Sequence, residues 1–121
     1  MKRLVFIVLL FILGCNKDDT DEREIFIGKL AVKGICMNYV IQVNDDNFPS
    51  NMIEENWTNE FSEIEYQNVF ALKSVCDFPE SIDEGDSFNF VIDNDKEILC
   101  PVCLAYSPVP RKSVSITVIE N

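Results

Sequence analysis

Ser87-Phe88-Asn89-Phe90-Val91-Ile92 sets Phe88, Phe90 and Ile92 at every second position against Ser87, Asn89 and Val91. A period of two is that of a β-strand with one face on a core. Turn-forming residues bracket it, Glu84-Gly85-Asp86 before and Asp93-Asn94-Asp95-Lys96 after. Toward the C-terminus, Ser113-Val114-Ser115-Ile116-Thr117-Val118-Ile119 repeats the alternation and predicts another strand. Toward the N-terminus, Glu65 to Ser74, with Tyr66, Val69, Phe70 and Leu72, predicts a third. Cys76-Asp77-Phe78-Pro79 turns the chain after it. Tyr39-Val40-Ile41-Gln42-Val43 is apolar and β-branched, as is Ile25 to Val32, where the interior Gly28 predicts a bulge or bend. Lys33-Gly34 joins these two runs as a hairpin, with Cys36 near its tip or at the start of the second strand, and Asn44-Asp45-Asp46-Asn47 closes it. The stretch from Phe48 to Trp57 has no sustained period and reads as an ordered connection, with at most a short helical turn capped by Ser50 or Asn51.

Five short strands separated by Gly, Pro and Asn/Asp turns, with little helix, predict an all-β domain. A small five-stranded antiparallel barrel removes the edges that an open sheet would expose; a small β-sandwich is the alternative. The entry through Glu84-Gly85-Asp86 and the strand count resemble the layout of OB-like lipoproteins, which implies the barrel. About 100 residues are enough for one modest core and no second domain.

The N-terminus carries an address. Lys2 and Arg3 precede an unbroken apolar run from Leu4 to Leu13, about half the length that spans a bilayer as a helix. That is a signal peptide rather than an anchor. Its end, Ile12-Leu13-Gly14-Cys15, resembles a bacterial lipobox. The resemblance implies a diacylglyceryl group on the Cys15 sulfur, cleavage after Gly14 and acylation of the new amine by chains such as palmitate. Two or three acyl chains hold a protein far more firmly than one. Asn16-Lys17-Asp18-Asp19-Thr20-Asp21-Glu22 has nothing apolar to bury and is expected to stay a solvated tether. Its lysine and two acids also resemble the export signal of surface lipoproteins of the Bacteroidota, implying the outer face of the outer membrane, with the periplasmic face as the alternative. The expected organisation is a signal peptide over 1–14, lipidated cysteine and tether over 15–24, and one β-domain over 25–121.

The chain has 21 acidic and 10 basic residues and a formal charge of −11. Cleavage removes two of those ten cations, leaving eight and a charge of −13. Such a surface repels phosphate backbones, and no Lys/Arg group interleaved with aromatics suggests nucleic-acid binding. The partners this leaves are the membrane, through Cys15, and a protein, glycan or cation of unknown identity; the domain is expected to be monomeric. The absence of histidine excludes Ser/His/Asp and Cys/His catalysis and removes the commonest general base and metal ligand. A non-enzyme without cofactor is expected, acting as a binding or structural module.

Four cysteines remain for the domain: Cys36, Cys76, Cys100 and Cys103. An even number in a small exported domain predicts structural disulfides. Pairing Cys100 with Cys103 would restrain little of the unfolded chain, so crossed pairings to Cys36 and Cys76 are favoured, and the sequence leaves two of them open. Two alternatives compete. Cys100-Pro101-Val102-Cys103 could be a thiol-disulfide oxidoreductase centre, but no helical pattern follows it to lower a thiol pKa. Four thiolates could bind a tetrahedral metal, although a second CxxC is lacking. Asp93, Asp95 and Glu97 could offer oxygens to calcium, but without the glycine and distant glutamate of an EF-hand loop they read as a turn. Trp57 and Tyr106 could stack on a sugar or peptide, or lie in the core. The segment from Cys100 to Pro110 could form a surface loop stiffened by disulfides and prolines. Intact mass of the domain exported to an oxidising compartment is expected to show no alkylatable thiol and no metal until reduction frees all four thiols. Four free thiols with stoichiometric metal would instead make the cluster a metal site.

Overall fold

A computed structural model of the protein describes residues 23–96, 100, 101 and 103–120. The expected signal peptide, Cys15, the expected tether up to residue 22, and Glu97 lie outside the described residues. The chain is all-β. Among the described residues there are seven strands: β1 (Phe26–Lys33), β2 (Tyr39–Val43), β3 (Glu54–Thr58), β4 (Glu65–Leu72), β5 (Ser87–Ile92), β6 (Ser113–Val114) and β7 (Ile116–Ile119). Short 3-10 turns occupy Ile35–Met37, Ser50–Met52 and Val75–Asp77.

The strands form one sheet in the order β3-β4-β2-β1-β5-β7, with β6 on β4. β6 and β7 are one run of chain interrupted at Ser115. Its first part pairs in parallel with β4, through Ala71↔Ser113 and Leu72↔Val114. Its second part pairs antiparallel with β5, from Asn89↔Ile119 to Ile92↔Ile116. The C-terminus therefore joins β4 to β5 and curls the sheet toward a small barrel. The barrel stays partly open, because the β4 junction spans only two residue pairs. Around it, Ala71 N–H donates to Lys112 O at 2.8 Å, Lys73 N–H to Val114 O at 2.9 Å, and Asp93 N–H to Ser115 O at 2.8 Å. The buried Ser74 hydroxyl accepts from Ile116 N–H at 2.8 Å and donates to Ile116 O at 3.0 Å.

Inside the curl lies a cluster of four phenylalanines. Phe26, Phe48, Phe70 and Phe90 come from β1, the β2–β3 loop, β4 and β5, with centroid separations from 5.0 Å for Phe26–Phe48 to 6.1 Å for Phe70–Phe90. Leu30, Ile41, Leu72, Val114 and Ile116 surround them. A smaller apolar cluster sits apart, built on Ala31, Val40 and Val69 with Trp57, Tyr66 and Val109 packed against it. Because β2 contributes Ile41 and Val43 to the first cluster and Val40 to the second, it reads as an apolar run rather than an alternation.

Five expectations need correction. Seven strands, not five, lie among the described residues: the stretch read as a connection contains β3, and the C-terminal strand is divided at Ser115. β3 escapes a periodicity reading because it is an edge strand whose Glu55, Asn56 and Thr58 are exposed. The barrel is not wholly antiparallel, since β6 runs parallel to β4. The irregularity expected at Gly28 lies instead between Leu30 and Val32, where the β1–β2 register shifts. In β5, Val91 is buried along with Phe90, so both faces are covered toward the strand's end.

Gly28 answers a different need. A Cβ there would stand 2.8 Å from the Phe90 ring and 3.3 Å from Ile41 Cγ2, and Phe90 is fully buried with no free space to retreat into. Gly28→Ala is expected to cost about 1–3 kcal/mol by overpacking. Ser74→Ala is expected to cost about 1–3 kcal/mol by leaving the Ile116 N–H and carbonyl unpaired. Urea unfolding of each variant, with m unchanged, measures both.

Candidate functional site

The disulfides are crossed: Cys36 pairs with Cys103 and Cys76 with Cys100. The two cysteines of the CxxC run therefore bond to different distant segments, and all four sulfurs are in disulfides. Among the described residues, no group of three or more His, Cys, Asp or Glu side chains is placed to hold a metal ion. Asp93 of the acidic turn accepts from Thr117 Oγ1 at 2.9 Å and faces Arg23 at 3.6 Å, and its carbonyl accepts from Lys96 N–H at 3.2 Å. Asp95 is exposed in that turn, and Asn47 N–H donates to Asp45 Oδ1 at 3.0 Å in the turn after β2.

What the disulfides organise is the segment 103–112. The Cys36–Cys103 bond fastens its start to the β1–β2 loop, where Cys36 and Met37 take left-handed backbone angles, φ 56° and 60°. Asn38 Nδ2 donates to Ala105 O at 3.2 Å. Gly34 lets the two chains approach closely, since a Cβ there would meet Ser107 Oγ at 2.8 Å and Asn38 O at 2.6 Å. Ser107, Pro108 and Pro110 are buried, and Val109 packs on the cluster of Val40, Val69 and Trp57. At its far end Lys112 Nζ donates to Ile53 O at 3.2 Å, next to β3. Proline-stiffened and tied at both ends, the segment runs as a strap beside β3.

A groove of about 900 Å3 separates the strap from β3. Glu54, Trp57 and Thr58 line one side, and Tyr106, Pro108 and Arg111 are among the residues on the other. The volume falls in the range of ligand sites, roughly 300–1,000 Å3. Trp57 leans on Tyr66, their centroids 5.8 Å apart. Tyr106 is 65% exposed and meets the equally exposed Phe61 edge-on at 5.9 Å. Its hydroxyl donates to Glu60 Oε2 at 3.0 Å. That bond, with lesser contributions from desolvation and the Glu60 charge, raises the Tyr106 pKa above 10.0. Burial first, and the negative charge of Glu84 second, raise that of Tyr66. Two smaller concavities flank the barrel: one of mixed lining and about 440 Å3 at Ile27, Phe88 and Asn89, and a polar one of about 470 Å3 at Asp45, Asp46 and Asn68.

The groove thus brings together Trp57 and Tyr106, which lie far apart in sequence. It adds Arg111, Glu54 and Glu60, which sequence reasoning did not single out, and Phe61 at its rim. Phe61 left one trace: it is an aromatic inside the polar run Thr58-Asn59-Glu60-Phe61-Ser62-Glu63. Comparison with protein-family models, curated proteins and solved structures finds no match to this chain.

Sequence separations of 67 for Cys36–Cys103 and 24 for Cys76–Cys100 predict losses of about 4 and about 3 kcal/mol when each pair is replaced by serine. The first replacement alone is expected to free the strap, read as faster amide exchange at Ala105 and Tyr106. In an ultraviolet titration assigned with Tyr106→Phe, the Tyr106 transition is expected above 10.0 and to fall in Glu60→Gln. A pKa raised in the folded state means the bond's contribution is present at neutral pH and is lost as pH rises through the Tyr106 transition.

Proposed function

We propose that this protein is a lipid-anchored surface module that binds a partner in the groove between β3 and the Cys36–Cys103 strap. The observation that carries this reading is the groove itself. Two disulfides, two prolines and a close-approach glycine are spent on holding a chain segment beside β3, and the result is an open concavity with aromatics and charges rather than a closed core. Rigid presentation of aromatic and polar groups lowers the ordering cost of binding. The lipobox at Ile12-Leu13-Gly14-Cys15 and the acidic tether support display at a membrane, on the outer face of the outer membrane. The thiol-oxidoreductase and four-thiolate metal readings are less well supported, because separate disulfides with distant cysteines leave the CxxC run neither a redox pair nor a set of thiolates. Non-enzymatic binding is the role that fits a chain without histidine.

Two measurements test the two halves. Radiolabelled palmitate is expected on the wild-type chain and not on Cys15→Ser, which should accumulate uncut and lose surface exposure to added protease; labelling that survives the substitution sinks the anchoring reading. Trp57 is the chain's single tryptophan and lines the groove, so its fluorescence reports occupancy. Screening peptides and oligosaccharides is expected to yield a ligand that shifts Trp57 emission and binds at least about tenfold more weakly to Tyr106→Ala, a loss of about 1.4 kcal/mol. A ligand that binds without touching either signal places the site elsewhere.

A further inference from the structure

We infer that the Cys36–Cys103 bond is a redox-sensitive latch: a dithiol opens it while Cys76–Cys100 stays closed, and its opening releases the Tyr106 side of the groove, a consequence that rests on the groove reading. Access distinguishes the two bonds first. Cys103 is exposed, as are Pro101, Leu104, Ala105 and Tyr106 around it, whereas Cys76 and Cys100 are both half-buried. A thiolate must reach the sulfur it attacks, so exposed disulfides exchange first. Backbone strain distinguishes them next. Ile35-Cys36-Met37-Asn38 closes the β1–β2 hairpin, with Asn38 N–H donating to Ile35 O at 3.1 Å and Gly34 N–H to Asn38 O at 3.2 Å. Both central residues are left-handed, at φ 56° and 60°, where tight hairpins favour Asn-Gly. Crowding at the β-carbon disfavours that conformation for Cys and Met, and strained disulfide segments are the labile ones. Once the bond opens, the turn is free to relax, which favours the reduced form.

What holds each pair of thiols together after reduction differs as well. The Lys96–Asp77 ion pair and the Cys100 N–H donated to Cys76 Sγ at 3.1 Å clasp the second pair's segments without the covalent bond, so those thiols stay close and reclose. Residues 103–106 have weaker ties: Asn38 Nδ2 to Ala105 O at 3.2 Å and the Tyr106 hydroxyl to Glu60 at 3.0 Å, both in exposed surroundings. Burial of the strap begins at Ser107. The exchange starts when a thiolate of the dithiol bonds to the exposed Cys103 sulfur. The protein S–S bond breaks, and its electron pair leaves on Cys36, which takes up a proton. The second thiol of the dithiol, as thiolate, closes on the first and expels Cys103, which is protonated in turn. The protein gains two electrons and two protons, and the dithiol becomes a disulfide. Residues 103–106 are then free, while Val109 stays packed on the cluster of Val40 and Val69.

The test equilibrates the full chain in mild detergent with mixtures of reduced and oxidised dithiothreitol, quenches by alkylation and maps the label by peptide mass. Cys36 and Cys103 are expected to become alkylatable at a reduced-to-oxidised ratio at least about tenfold below that for Cys76 and Cys100. With that bond alone open, amide exchange is expected to quicken at Ala105 and Tyr106 but not at Phe90 or Ile116, and acrylamide quenching of Trp57 to rise, all reversed by reoxidation. Met37→Gly, which suits the left-handed turn, is expected to raise the ratio needed several-fold. Opening of Cys76–Cys100 first, or of both bonds together, overturns the latch, as does a Met37→Gly chain that reduces like the wild type. Faster exchange at Phe90 and Ile116 also overturns it, because reduction would then loosen the whole fold. Strap amides that quicken without a change in Trp57 quenching overturn the link to the groove, and leave the groove reading to its own ligand screen.

Discussion

One short run of chain holds the fold together. Residues Ser113 to Ile119 pair with β4 and then, past Ser115, with β5, and without them the sheet would be an open ribbon with β4 and β5 unsupported on those edges. The phenylalanine cluster depends on this curl, since Phe70 and Phe90 come from the two strands that the run ties together. A flat sheet would spread those rings over one face and bury less of each. Ser74 is the polar hinge of the arrangement. Its hydroxyl satisfies both backbone groups of Ile116 where the chain leaves one ladder for the other, a place where unpaired backbone would be costly. The core is therefore made by the curl, and the curl is made by a few hydrogen bonds at one bend.

The second constraint is covalent and acts on the outside. The strap from Cys103 to Lys112 covers Val40 and Val69 through Val109 but leaves Tyr106 facing outward. A segment with two buried prolines forms few backbone bonds of its own and needs external fastening to stay in place. Cys36–Cys103 supplies this at one end and Lys112 at the other. Cys76–Cys100 does related work just upstream, where the Lys96–Asp77 ion pair at 2.5 Å joins the same two segments. The groove is what remains between a strap held in this way and a strand with no outer neighbour among the described residues.

How far the sequence discloses this varies with what each feature depends on. Tyr39–Val43 and Ser87–Ile92 are legible to the residue, because their apolar content and flanking turns are local. β4 ends at Leu72 rather than Ser74 because Ser74 turns its side chain inward to serve Ile116, a demand that only tertiary structure makes. β3 is illegible by pattern: on a strand with one neighbour, Glu54, Glu55 and Asn56 need no alternation, and its existence rests on β4 beside it. The cysteine parity foretells two crossed disulfides, but the choice between the two crossed pairings comes from the Cys36 loop meeting Cys103. Trp57 and Tyr106 are visible as aromatics; their sharing one groove depends on the strap's path, which no local signal encodes. The address proposed at Cys15 is the reverse case, read wholly from local sequence.

The division at Ser115 also sets a timetable. A chain made from its N-terminus onward completes β1, β2 and β4 long before residues 113–119 exist, and Cys36 waits 67 positions for its partner. Until residues 113–119 emerge, the sheet lacks the segment that joins β4 to β5, and the nascent domain remains an open sheet with an apolar face. The non-local pairings that close the sheet therefore come last, after the strands they join.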